Sequence, residues 1–215
     1  IVVMKFGGTS VGTIKKIKKV ADIILDYKRK NYKVIVISSA MSGVTNELIK
    51  KSHQISNSFS SSEYDVLVSS GEQVSCSLIA GRLIHRGYKS RSWLSWQVPI
   101  ITLGPHKNSR INQISKNRII KYLNEGGIPI ITGFQGVNNE NRITTIGRGG
   151  SDASAIMVAK FFKAKRCVIY TDVEGVYTTD PNKLKKAKKI NVISYEEMLE
   201  MASLGAKVMQ PVSIQ

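Results

Sequence analysis

Short runs of consecutive apolar residues alternate along this chain with longer stretches in which apolar positions recur every three or four residues. Ile1-Val2-Val3-Met4 and Val34-Ile35-Val36-Ile37 read as strands, and between them Ile14, Ile17, Val20, Ala21, Ile24 and Leu25 fall on one face of a helix whose other face is lysine-rich. That is a βαβ unit, and its recurrence predicts an α/β protein with a mostly parallel sheet. Further strands are expected at 128–132 and 167–171, and further helices at 74–86, 114–124, 153–162 and 195–202. Residues 136–146 read as a polar hairpin turning at Asn138-Asn139-Glu140-Asn141. The serine-rich stretch 56–62 reads as a surface loop between two helical patterns.

At 215 residues and 42% hydrophobic, the chain can bury one sizeable core, and no composition break marks a second domain. No apolar run reaches the ~20 residues that span a bilayer and no leader pattern opens the chain, so a cytoplasmic protein is expected. Cys76 and Cys167 stand far apart without a CxxC neighbour, which argues against a disulfide framework or zinc site. The net charge of +17 also suits a nucleic-acid binder. However, the lysines cluster at 15–19, 28–30 and 185–189 without interleaved base-stacking aromatics, so a solvated lysine-rich surface is the plainer reading.

Ligands in open α/β sheets settle where strands end and glycine-rich turns lead into helices. Three places qualify. In Lys5-Phe6-Gly7-Gly8-Thr9-Ser10 the paired glycines let backbone approach a phosphate and Lys5 adds a mobile charge, although the Walker spacing is absent. The bland alternative is a turn with Ser10 as a helix cap and Lys5 in solvent. Thr145-Ile146-Gly147-Arg148-Gly149-Gly150-Ser151-Asp152 lacks the third glycine of a dinucleotide site, but an arginine among glycines at a helix start suits a carboxylate. Here the alternative is a cap made by Ser151 or Asp152. The segment 170–181 follows a strand and could hold a nucleotide with a tyrosine ring against the base. Taken alone it reads better as a polar loop. His53, His85 and His106 show no metal or nucleophile spacing, and Glu72 has a plain place at a helix start, with Ser70 and Gln73 at capping-box spacing.

In this order the motifs carry a resemblance. KFGGTS at 5–10, SSAM at 38–41 with Thr45, SSGEQVS at 69–75, GFQGV at 133–137, TTIGRGGSD at 144–152, YTDVEGVYTTDP at 170–181 and SYEEMLEMASLGAKVMQP at 194–211 together resemble the aspartate kinases of the amino-acid-kinase family, over essentially the whole chain. The resemblance implies a three-layer αβα sandwich with a mostly parallel central sheet, and a catalytic domain spanning 1–215 whose fold, in the family, continues past the SLGAK helix to a further strand, so that the fold is expected to be incomplete at the C-terminus. It further implies regulatory domains that this chain does not contain. The implied activity moves the γ-phosphoryl group of ATP to the β-carboxylate of L-aspartate, opening lysine, threonine and methionine biosynthesis. ATP and magnesium carried with it are the implied cofactors, and a homodimer the implied assembly.

By the same resemblance Lys5, Gly7 and Gly8 face the ATP phosphates with Ser39 nearby. Thr45, Glu72, Arg148, Gly149, Gly150 and Ser151 hold aspartate, with Glu72 accepting its ammonium and Arg148 clamping a carboxylate. Asp152 sits near the transfer site with Lys5 and Glu72, and Thr171, Asp172, Tyr177 and Lys207 contact the nucleotide. One departure is Asn182, where the family usually carries arginine after the TDP triplet; Lys183 is a loose substitute. A carboxylate acceptor with a reference pKa of about 3.9 is already ionised at neutral pH, so no general base is needed, and positioning with charge neutralisation is the main task. Two alternatives stay open: a family member acting on acetylglutamate, glutamate or a nucleoside monophosphate, and an inactive basic binding fragment.

Overall fold

The computed structural model describes residues 1–172, 175–178, 184, 186–194 and 197. The four strand runs seen in the sequence, joined at one edge by a strand the apolar pattern does not show, β3 (Ser90–Trp93), form a parallel sheet in the order β3, β6 (Ile128–Thr132), β2 (Val34–Ser38), β1 (Val2–Phe6), β9 (Arg166–Tyr170). Side chains alternate faces along a strand, and here both faces are covered. Val2, Met4 and Phe6 of β1, with Val34, Val36, Ile128 and Ile130, pack against the apolar stripes of α1 (Ile14–Arg29) and α3 (Ser61–His85). Val3, Ile35, Ile37 and Ile131 meet α4 (Asn117–Asn124) and α5 (Gly150–Phe161) through Ile119, Leu123, Ala155 and Val158. Two cores with a sheet between them make the expected three-layer αβα sandwich. The same alternation puts Lys5 on the α5 face beside Val3.

A smaller sheet crowns the C-terminal ends of these strands: β5 (Arg110–Ile114), β4 (Ile100–Leu103), β7 (Gln135–Val137) and β8 (Ile143–Thr145). β7 and β8 form the predicted hairpin, pairing Gln135 with Thr145, and Asn138 Oδ1 accepts the Glu140 and Arg142 N–H groups at its turn. The hairpin strands are buried rather than polar-faced. Past β9, two short strands, β10 (Val176–Tyr177) and β11 (Lys189–Ile190), pair antiparallel.

Several expectations need correcting. α3 begins at Ser61, not near residue 74, so it absorbs the end of the serine-rich stretch after α2 (Val44–Ile55). Its early turns had no readable stripe because Asp65, Ser69, Glu72 and Ser75 are buried among Val68, Cys76 and Ile79. Ile114 ends a strand, and α4 starts three residues later. The helix expected at 195–202 lies outside the described residues, Glu197 apart. Among the described residues no helix is long and apolar enough to cross a membrane.

Candidate active site

The loops following β1 and β2, the N-terminal turns of α2 and α5, and one flank of α3 enclose a cleft of about 700 Å³. Lys5, Gly8, Ser39, Thr45, Glu72 and the run Arg148, Gly149, Gly150, Ser151, Asp152 all line it. It lies at the carboxyl ends of the parallel strands, where open α/β sheets bind ligands.

Lys5 is 7% exposed, and its Nζ stands 2.7 Å from Asp152 Oδ1 in the first turn of α5. A carboxylate there also meets the positive end of the helix dipole. Bare glycine backbone keeps room around the ammonium: a Cβ on Gly7 would fall 3.3 Å from Lys5 Nζ, and one on Gly8 would fall 3.0 Å from the Ala40 carbonyl. Gly7 itself does not line the cleft; its N–H donates to Tyr170 O at 3.0 Å. Ser10 does not cap α1. That role belongs to Thr13, which accepts the Lys16 N–H, while Ser10 Oγ reaches Tyr170 O.

Glu72 is the most constrained group. It is 3% exposed, its Oε1 accepts the Ala40 N–H at 3.0 Å, and its Oε2 is buried without a protein partner among the described residues. Burial pushes its carboxyl from the ordinary 4.5 up to about 8, the Ala40 bond pulling weakly the other way. Ser70 is mid-helix, its hydroxyl donating to Leu67 O, so the capping-box reading of Ser70 and Gln73 fails. The helix approaches the loop after β2 closely because Gly71 has no Cβ; one would lie 2.8 Å from Ala40 Cβ. Ser75 Oγ completes the seam by donating to Ser39 O.

The turn before α5 needs glycine. Gly147 and Gly149 have φ of 84° and 74°, in the left-handed region, and Gly149 occupies the N-cap position with no side chain to cap. Ser151 and Asp152 are therefore inside the first turn rather than caps. Arg148 projects from this turn, exposed along the cleft, and no carboxylate among the described residues pairs with it.

Other expectations divide. Thr171 and Asp172 are exposed and bonded to one another, and neither they nor Tyr177 line the cleft. The half-buried Tyr170 ring stacks one face on Phe6 at 4.7 Å against the core, and it does not line the cleft. Asn182, Lys183 and Lys207 lie outside the described residues. The structure also adds Tyr64, Lys107, Phe134 and Thr145 to the cleft wall. No motif reasoning marks Tyr64 or Lys107, since they reach the site through a long helix and a strand connection that the apolar pattern does not show. A second cavity of about 510 Å³, lined by Arg91, Trp93, Trp96, Arg118 and Tyr122, opens on the α4 side.

Residues 1–215 match the amino acid kinase family. The chain is 49% identical over 218 residues to an aspartokinase of Rickettsia felis, covering 100% of this chain and 54% of that protein. It is 50% identical over 215 residues to an aspartokinase of Geobacillus stearothermophilus, covering 100% and 53%. The fold superimposes on E. coli aspartokinase III in complex with aspartate and ADP with a TM-score of 0.87 at 30% identity, covering 100% of this chain and 58% of that one. Against an isopentenyl phosphate kinase the TM-score is 0.69 at 17% identity, covering 98% and 91%, which is a likeness of fold alone. The chain spans about half the length of the curated relatives it matches. Motif order, layer topology and full-length similarity converge: the chain belongs to the amino acid kinase family.

Proposed function

We propose that this chain transfers the γ-phosphoryl group of ATP to the β-carboxylate of L-aspartate, yielding 4-phospho-L-aspartate for lysine, threonine and methionine biosynthesis. The observation that carries the reading is Glu72. A buried carboxylate with one unpartnered oxygen suits an ammonium, and few other ligands would offset the cost of ionising it there. An amino acid with a free α-ammonium meets that demand; an N-acetylated one would leave the charge unpaired, and a nucleoside monophosphate would repel it. The solved aspartokinase that binds aspartate and ADP supports the same reading.

Around that anchor each residue has a role. Arg148, exposed on its glycine turn, grips a substrate carboxylate in bidentate fashion, with Thr45, Gly149, Gly150 and Ser151 against the rest of the amino acid. Lys5 neutralises charge on the transferring phosphoryl group, and Asp152 orients Lys5 through their 2.7 Å contact. Gly7, Gly8 and Ser39 border the phosphates, while Thr171, Asp172, Tyr177, Asn182 and Lys207 belong to the nucleotide side. Magnesium would neutralise the phosphates and arrive on them, since among the described residues Asp152 and Glu72 are the carboxylates lining the cleft and Asp152 is engaged by Lys5. The reading carries with it a cytoplasmic homodimer, which the family likeness implies; Cys76 and Cys167 are both free thiols.

Purified protein with ATP and magnesium should release ADP on addition of aspartate, and not with N-acetylglutamate, glutamate or a nucleoside monophosphate. Release with one of those acceptors and none with aspartate overturns the assignment. No release with any acceptor, joined to salt-dependent retardation of DNA or RNA, would favour a basic binding fragment.

A further inference from the structure

Asp65 takes no part in the chemistry above, yet its carboxylate is 0% exposed. A buried carboxylate is costly unless its oxygens are satisfied, and here every partner comes from an element that builds the cleft. The Lys107 N–H lies 3.1 Å from both oxygens, His106 Nδ1 is 2.7 Å from Oδ2, and the Thr145 hydroxyl donates to Oδ1 at 2.6 Å. Thr145 ends the strand that runs into the Arg148 turn.

The loop 104–109 so held is shaped by the grip. Lys107 has φ of 68°, a left-handed conformation that a side-chain-bearing residue keeps only when its surroundings enforce it. The Lys107 carbonyl abuts the next turn so closely that a Cβ on Gly147 would come within 3.1 Å of it, and the Ser109 N–H donates to Thr145 O at 2.9 Å. Beyond the loop, Lys107 Nζ stands 4.3 Å from the centroid of the Tyr64 ring on the cleft wall.

Asp65 and Glu72 are seven residues apart on one helix, about two turns and roughly 10 Å along its axis, both on the buried face. One rigid helix therefore carries the carboxylate for the substrate ammonium and also the joint that holds the opposite wall. Arg148 sits on that wall, flanked by two glycines of positive φ that cannot stiffen it themselves. We propose that Asp65 is a positioning residue: by tying loop 104–109 and Thr145 to α3 it sets the span between Glu72 and Arg148, and with it the recognition of an amino acid gripped at both ends. The proposal rests on the aspartate reading of the cleft. The glycine loop after β1, at the phosphate end, has no bond to Asp65.

The test compares Asp65→Asn and His106→Gln with wild type by coupled ADP release, reading kcat, KM for aspartate, KM for ATP and melting temperature. Asp65→Asn should raise KM for aspartate about tenfold or more, the scale on which misplaced groups act, while KM for ATP stays within about twofold. His106→Gln should move KM for aspartate the same way but less, and the double variant should do little more than Asp65→Asn alone. Equal rises in both KM values, or a lowered melting temperature with unchanged KM for aspartate, overturn the proposal. If Asp65→Asn does not fold, His106→Gln decides at the partly exposed end of the joint, and an unchanged KM for aspartate refutes it. Wild-type protein that works on another carboxylic acid but not aspartate refutes the substrate reading, and the KM of that acid then decides on Asp65. Activity with none refutes both.

Discussion

Replacing Glu72 by glutamine removes a titrating group from a place where charge is expensive, and the size of the effect follows from its surroundings. Burial raises the carboxyl from 4.5 to about 8. At about 1.36 kcal/mol per pH unit of difference, ionising it in the folded protein costs roughly 4–5 kcal/mol more than in the unfolded chain. The folded state thus holds the proton more tightly. Below pH about 4.5 both states are protonated and there is no penalty. Between 4.5 and 8 the unfolded chain loses its proton first and stability falls; above about 8 the full loss is present. Glutamine keeps the shape and can still accept the Ala40 N–H, and its amide adds only an offset independent of pH. The variant should therefore gain on wild type by about 4 kcal/mol between pH 5 and pH 9, since a little of the loss is already present at pH 5; that is on the order of 10 °C in melting temperature for a chain of this size, while aspartate-dependent turnover is lost. Paired thermal melts at pH 5, 7 and 9 measure the gap. A gap of constant size across that range would refute the link between burial and titration at Glu72.

Lys5→Ala should lower kcat by about 10²–10³-fold, the usual loss for one group aimed at developing charge, with a modest change in nucleotide affinity; unchanged turnover in a coupled ADP-release assay rules out its role. The same buried carboxyl predicts that KM for aspartate falls as pH rises from 7 to 9, because only about a tenth of Glu72 is ionised at pH 7 before the ammonium arrives. A KM flat across that range excludes Glu72 as its acceptor. For Gly71→Ala, two effects compete. Alanine is favoured in a helix by about 1 kcal/mol, but its Cβ would stand 2.8 Å from Ala40 Cβ and 3.2 Å from Val44 Cγ1, and overpacking costs about 1–3 kcal/mol. Net destabilisation in urea titration, with weaker aspartate binding as Ala40 shifts, is expected.

The strands at the heart of the sheet were legible because each is a short apolar run rich in β-branched residues, and α1 because its apolar stripe is backed by a lysine-rich face. α3 was legible only in its second half. Its first half buries Asp65, Ser69 and Glu72, and polar residues on a buried face erase the periodicity that marks a helix; the helix is hardest to read where it serves the site. The glycine turns at 7–8 and 147–150 announced themselves by composition, since few other residues tolerate the close approaches and positive φ found there. Glu72 had no such mark. Its meaning lies in a helix passing the loop after β2, a contact between positions 32 residues apart that no local spacing encodes. Of the smaller sheet, β4 and β5 escaped for a related reason: both are short, and about half their residues face solvent.

The chain's two tryptophans, Trp93 and Trp96, both line the second cavity and neither touches the catalytic cleft. Trp93 is buried with the Arg91 guanidinium 4.2 Å above its ring and Tyr122 edge-on at 5.6 Å, whereas Trp96 is half exposed. Intrinsic fluorescence is thus a two-colour gauge of the α4 side, one emitter shielded and one wetted, and its natural reading is of that face. Watching the cleft by light requires an emitter of its own, and Phe134, already an aromatic ring on the cleft wall, is the position that would accept one with the least change of character.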